Sequence, residues 1–175
     1  MKYKKRMISM LIISSFSITA TANAWTTTPN GHPFSDAAFT YNSDNLPSGY
    51  APSFQSAVSA WYSTPTPLTY SSTDIVNAEI KLYAGYYGNT GWNAQTSHHS
   101  TSFSSYDYMD EIRANYDAMN YMTYQEKQGV FAHELGHVLG LDHVSDQYQI
   151  MCTWGNNRKV YVPGADDIAG ANALY

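Results

Sequence analysis

The chain has 175 residues, with 9 basic and 14 acidic side chains, a formal net charge of −5 and a single cysteine, Cys152. Four of the basic residues lie in residues 1–24, so removing that segment leaves five against 14, a balance of −9. Such acidity disfavours nucleic acid and anionic membranes as partners, the lone cysteine excludes an intrachain disulfide framework, and an aromatic fraction of 15% argues against disorder.

Residues 2–6 are basic, residues 7–20 are mostly apolar, and Ala22-Asn23-Ala24 is a small-x-small cleavage signal. This is the layout of a secretory signal peptide. The apolar stretch is too short and too rich in Ser and Thr to span a bilayer comfortably. The expected product is therefore residues 25–175, exported, with no membrane attachment after leader removal. At that length it forms one domain, expected to be a monomer.

Residues 25–36 are rich in Thr, Pro and Gly and read as an extended arm, followed by a strand over 37–41. Pro52 suits the first turn of a helix. Phe54, Ala57, Val58 and Trp61 then recur at helical spacing. Pro65 and Pro67 end that helix. Residues 68–70 and 78–83 read as strands, with Ile80 and Leu82 alternating against Glu79, Lys81 and Tyr83. Residues 88–105 have low helical tendency, and 111–117 reads as another strand. Thr123 and Glu126 form a capping-box pattern that opens a helix running to Leu139 and stopping at Gly140. A last helix is predicted over 165–175, with Asp166 and Asp167 in its first turn. Strands interleaved with helices predict an α/β or α+β domain.

Residues 133–143 read His-Glu-Leu-Gly-His-Val-Leu-Gly-Leu-Asp-His. His133 and His137, four apart on a helix, project from one face and can share a metal ion. Glu134 lies about 100° round the helix from His133, beside the metal and outside the ligand set. Gly140 can take a left-handed conformation and end the helix, so that the chain turns back and presents His143. Three imidazoles and one water make an open, catalytic zinc site; a structural site would close the fourth position with protein.

This pattern, followed by Ile150-Met151-Cys152, resembles the metzincin zinc endopeptidases, whose second mark is a methionine turn. The resemblance makes Met151 an apolar support beneath the zinc. Thr153 stands where astacin-like and serralysin-like enzymes carry tyrosine, and His143 where snapalysin-like enzymes carry Asp. The sequence is most similar to the matrixins, the matrix-metalloproteinase-like group, in Gly140-Leu-Asp-His143, in residues 166–175 and in residues 61–70. The similarity covers 37–175, strongly from 130 onward. It implies a matrixin-like fold: a twisted mixed sheet of about five strands and three helices, one of which carries the H-E-x-x-H motif. Two departures stand out. No propeptide cysteine fits between Ala24 and the first strand, and no H-x-D segment for a structural zinc is found. His98 and His99, adjacent on an extended segment, face opposite ways and read as exposed loop histidines. One zinc per chain is therefore expected; calcium dependence is left open.

The chemistry implied is hydrolysis of peptide bonds by zinc-activated water. Glu134 takes the proton as general base and returns it to the leaving amine. An extended peptide or protein substrate would pair with an edge strand above the cleft, which the resemblance places within residues 89–97. By resemblance, the loop over 153–163 forms the specificity wall, with Trp154 and Tyr161 as candidate lining residues. The resemblance also implies that the residue four before His133 helps close the pocket for the residue after the cut; Gly129 stands there and would leave it open, which predicts a preference for large apolar residues. Cys152 reads as a buried, inert thiol. The alternative is a secreted surface- or carbohydrate-binding module on a vestigial protease fold, supported by the Tyr/Ser/Thr-rich composition and opposed by Glu134, which a vestigial site does not need.

Overall fold

The computed structural model describes residues 25–27, 36–100 and 108–175. The leader, His32 and Asp107 lie outside these residues.

Among the described residues, seven strands and four α-helices follow in the order β1 (Thr26–Thr27), β2 (Ala38–Asn42), α1 (Ala51–Tyr62), β3 (Thr69–Ser72), β4 (Ile80–Gly85), β5 (Ala94–Ser100), β6 (Tyr108–Asn115), α2 (Tyr116–Met119), α3 (Tyr124–Val138), β7 (Leu141–Asp142) and α4 (Ala165–Leu174). Five strands form one mixed sheet in the order β3-β2-β4-β6-β5. The first four are mutually parallel, and β5 closes one edge antiparallel to β6. Separately, β1 pairs with β7, bringing Thr26 opposite Asp142. This is the α+β architecture expected of a matrixin-like domain.

The helix-forming pattern of α1 buries Phe54, Ala57, Val58 and Trp61, and α1 packs against α3. Phe54 meets Phe131 of α3 edge to face, with ring centroids 5.6 Å apart, an arrangement that suits the ring quadrupoles. Phe39, Ile80, Leu82 and Ile112 complete the core from the sheet side. Trp61 is fully buried, and its indole Nε1–H donates to the carbonyl of Ala132 at 2.8 Å. That bond ties the first helix to the residue immediately before His133.

Three local expectations change. Residues 94–100 form a strand that their polar composition conceals: Thr96, Ser97, His98 and His99 lack an apolar alternation, and the strand exists because β6 supplies its ladder. His98 and His99 therefore lie on β5 and are not loop histidines. His98 Nδ1 meets the fully buried carboxylate of Asp110 at 2.9 Å, and His99 lies 3.7 Å from Glu111. Finally, the strand expected over 111–117 ends at Asn115. The Asn115 side chain accepts from the backbone N–H of Asp117 and caps the one-turn helix α2, which brings the α-helices to four, one more than expected.

Replacing Trp61 by Phe keeps an aromatic ring but removes the pyrrole half of the buried indole and its bond to the Ala132 carbonyl. The expected cost is about 1–3 kcal/mol, read as a lowered urea midpoint with unchanged slope. An unchanged midpoint would show that the bond carries no net stability.

Candidate metal centre and active site

The helix α3 is held at its start by reciprocal bonds. Glu126 N–H donates to Thr123 Oγ1 at 3.3 Å, and Thr123 N–H donates to the Glu126 carboxylate at 2.7 Å. Its last turns carry His133, Glu134 and His137, with His133 and Glu134 buried. Gly140 follows at φ 92°, a left-handed conformation that costs glycine little. The chain then reverses through β7. Asp142 Oδ1 accepts from the His143 N–H at 2.7 Å, and Thr26 Oγ1–H donates to the His143 carbonyl at 3.1 Å. The β1–β7 pair thus steadies the third imidazole.

The three rings converge. His143 Nε2 lies 3.1 Å from Nε2 of His133 and 3.1 Å from Nε2 of His137. On the opposite side of the rings, His133 Nδ1 meets the Ile150 carbonyl at 2.8 Å, and His137 Nδ1 meets the Leu141 carbonyl at 2.9 Å. A carbonyl can only accept, so these Nδ1 atoms carry the protons and the facing Nε2 atoms present bare lone pairs. These two lone pairs converge on His143 Nε2, and a cation held among the three nitrogens would satisfy them together. Burial is the first cause that lowers the pKa of each of the three histidines, followed by the neighbouring imidazoles for His133 and His143. All three are thereby biased to the neutral form that binds metal. Among the described residues, these histidines make the group that could hold an ion.

Glu134 faces the cleft from the same helix. Burial pushes its pKa up to about 7, against the lowering effect of a hydrogen bond from Thr96. Thr96 Oγ1 lies 2.7 Å from Glu134 Oε2 and 3.1 Å from the Glu134 carbonyl, so β5 touches both the backbone and the side chain of the residue. The cleft itself, about 450 Å³, runs between Gly91–Thr96 on one side and Thr153–Gly155 on the other, with the three histidines and Glu134 along its floor.

A tight turn supports the centre. Met151 is buried, and its Sδ occupies the space that a Cβ on Gly136 would fill; only glycine lets the methionine lie directly against the helix between His133 and His137. The turn is fastened by Asp167, a buried carboxylate on α4 that accepts from the N–H groups of Ile150 (2.6 Å), Met151 (3.2 Å) and Gly164 (2.7 Å). Burial raises the Asp167 pKa, and these three bonds hold it down. Cys152 is fully buried beside the turn, and burial raises its thiol pKa.

Of the lining residues expected in the cleft, Trp154 is there, whereas Gly129 and Tyr161 are not. The space beside Gly129 is already taken. A Cβ at 129 would lie 2.9 Å from Tyr161 Cδ1 and 3.3 Å from Arg158 Nη2. The open pocket inferred from glycine at this position is therefore filled by two side chains from the following loop. Sequence reasoning missed Arg158, Thr96 and the anchoring role of Asp167. Arg158 alone left a signal, as the sole arginine after Arg113, in a loop expected to wall the cleft.

Replacing Asp167 by Asn sets an amide donor among three backbone donors. The expected loss is about 1–3 kcal/mol of unfolding free energy, with faster metal release into a chelator. A full-strength turn in this variant, judged by both urea denaturation and metal retention, would show that α4 does not anchor it.

A family model described as Matrixin matches residues 37–175 of this chain. No curated protein matches it.

Proposed function

This chain belongs to the matrixin family of metallopeptidases, and on that premise we propose that it is a secreted zinc endopeptidase acting on extended peptides, with Glu134 as general base. The observation that carries this reading is the convergence of three Nε2 atoms, those of His133 and His137 left unprotonated by their Nδ1 bonds, beside a buried carboxylate that is not itself one of the converging ligands.

His133, His137 and His143 would hold the ion through Nε2. The donor set fits zinc, which favours neutral imidazole in sites of three protein ligands. When bound, zinc supplies Lewis acidity towards a peptide carbonyl and its attacking water. The chain's own residues do the rest. Glu134 receives the proton of the attacking water, and a pKa near neutrality matches it to that exchange. Thr96 engages Oε2, which keeps the carboxylate in one rotamer and leaves Oε1 to carry the proton to the leaving amine. The strand β5 pairs with β6 on one side only, so its other edge offers backbone groups to an extended substrate along Gly91–Thr96. The segment over residues 1–24 supports export of the product.

Treatment with 1,10-phenanthroline should abolish hydrolysis of casein, and added zinc should restore it. In Glu134→Ala the turnover should fall by at least about 10²-fold while the ion stays bound. Loss of the ion from that variant would assign Glu134 to the ligand set instead. Full activity of metal-free protein would overturn the zinc reading.

Elemental analysis of dialysed protein should give one zinc per chain, lost in His137→Ala. A ratio near two that falls to one in the His98→Ala/His99→Ala double variant would reveal a second site on β5.

A further inference from the structure

Arg158 is 7% exposed and sits where the cleft meets the 153–163 loop. One arm of its guanidinium is fixed. Nη1–H donates to the Ile150 carbonyl at 3.0 Å and to the Cys152 carbonyl at 3.4 Å. The other edge, Nε and Nη2, is sealed from bulk water and has no hydrogen-bond partner. Those two nitrogens form the side-on fork that grips a carboxylate with two parallel bonds. Among the described residues no carboxylate pairs with it, although an unpaired buried charge is costly. Burial pushes its pKa down only to about 10, so the group remains a cation at neutral pH. The absence of a side chain at Gly129, whose Cβ would meet Nη2 at 3.3 Å, keeps that flank of the fork uncovered by α3.

We propose that Arg158 is a specificity-determining residue that binds a substrate carboxylate on the leaving-group side of the cleft. This rests on the endopeptidase reading above. The side follows from the chemistry. Glu134 hands its proton to the departing amine, so the residue after the cut lies on the side of Glu134, and Val130 and Arg158 line the cleft with it. Arg158 is also one carbonyl removed from the metal-holding His133, because the Ile150 oxygen accepts from both. The Tyr161 ring borders the same spot as Nη2, so a carboxylate reaches the fork only by displacing that ring. The preference therefore runs opposite to the large apolar residue that an open space at Gly129 would select. The carboxylate can come from an Asp or Glu side chain directly after the scissile bond or from a free chain terminus.

The test uses C-terminally amidated peptides that differ only in Glu or Gln after the cut, with the zinc-loaded enzyme. The expected kcat/KM ratio favours Glu by at least about tenfold. In Arg158→Lys, which keeps a charge near the turn but loses the fork, and in Arg158→Gln, the Glu/Gln ratio should collapse towards one; the ratio is taken within each variant, so a change common to both peptides cancels. A third peptide, ending in a free carboxylate one residue after the cut, reports the other source; a gain there that disappears with the same variants also supports Arg158 as the receptor. Equal rates for the charged and neutral peptides, or a Glu preference that survives both substitutions, would overturn the proposal. Calorimetric binding of the product dipeptides Glu-Ala amide and Gln-Ala amide gives a readout without turnover. If no peptide is cut, the endopeptidase reading fails, and tighter binding of Glu-Ala amide that depends on Arg158 would still establish the carboxylate site. Equal binding would remove that as well.

Discussion

The backbone of Ile150 is the point on which the site depends. Its carbonyl accepts from His133 Nδ1 and Arg158 Nη1, and its N–H donates to Asp167. One residue thus sets the tautomer of an imidazole, anchors a buried cation and ties the turn to α4. The bonds constrain one another, because the Ile150 carbonyl shares a planar peptide unit with the Met151 N–H, which also donates to Asp167. The position of Met151 follows, pressed against Gly136 on the helix that carries His133 and His137.

Buried charge is concentrated around this turn. Glu134, Arg158 and Asp167 are all nearly inaccessible, yet they are compensated differently. Asp167 has three backbone donors, enough to offset much of its desolvation, and its work is structural. Glu134 has one side-chain donor, Thr96, and keeps a raised pKa, which suits the proton exchange proposed for it. Arg158 is half satisfied, with one arm bonded and one edge unpaired. The gradient from satisfied to unsatisfied runs from the supporting turn to the cleft. The satisfied carboxylate lies in the turn beneath the three histidines, and the unmet hydrogen-bonding capacity belongs to a residue that lines the cleft.

The elements that the sequence revealed most clearly are those whose signals are local. The capping box at Thr123 and Glu126, the i, i+3, i+4, i+7 pattern of α1 and the stop at Gly140 all appear where expected. The strand β5 was hidden because its residues are polar and its existence depends on pairing with β6, whose nearest strand residues lie across the 101–107 segment. The helix α2 was hidden because Asn115 caps it from what reads as the end of a strand. Glycine at position 129 was misleading for a related reason: a missing side chain predicts space only if nothing else fills it, and Tyr161 and Arg158 do.

By itself, the sequence determined that three histidines and a glutamate could converge, because helix geometry turns the spacing of His133, Glu134 and His137 into a fixed arrangement and Gly140 returns His143 to it. It also carried the family, since those spacings are what relatives share. Only the tertiary structure decided which groups complete the site. Thr96 lies 38 residues from Glu134 in the chain, and Asp167 lies 17 from Ile150. No local periodicity links such pairs; they meet because sheet order and helix packing bring separate segments together. The same holds for the bare edge of Arg158, since whether a guanidinium is paired depends on every neighbour that packing supplies.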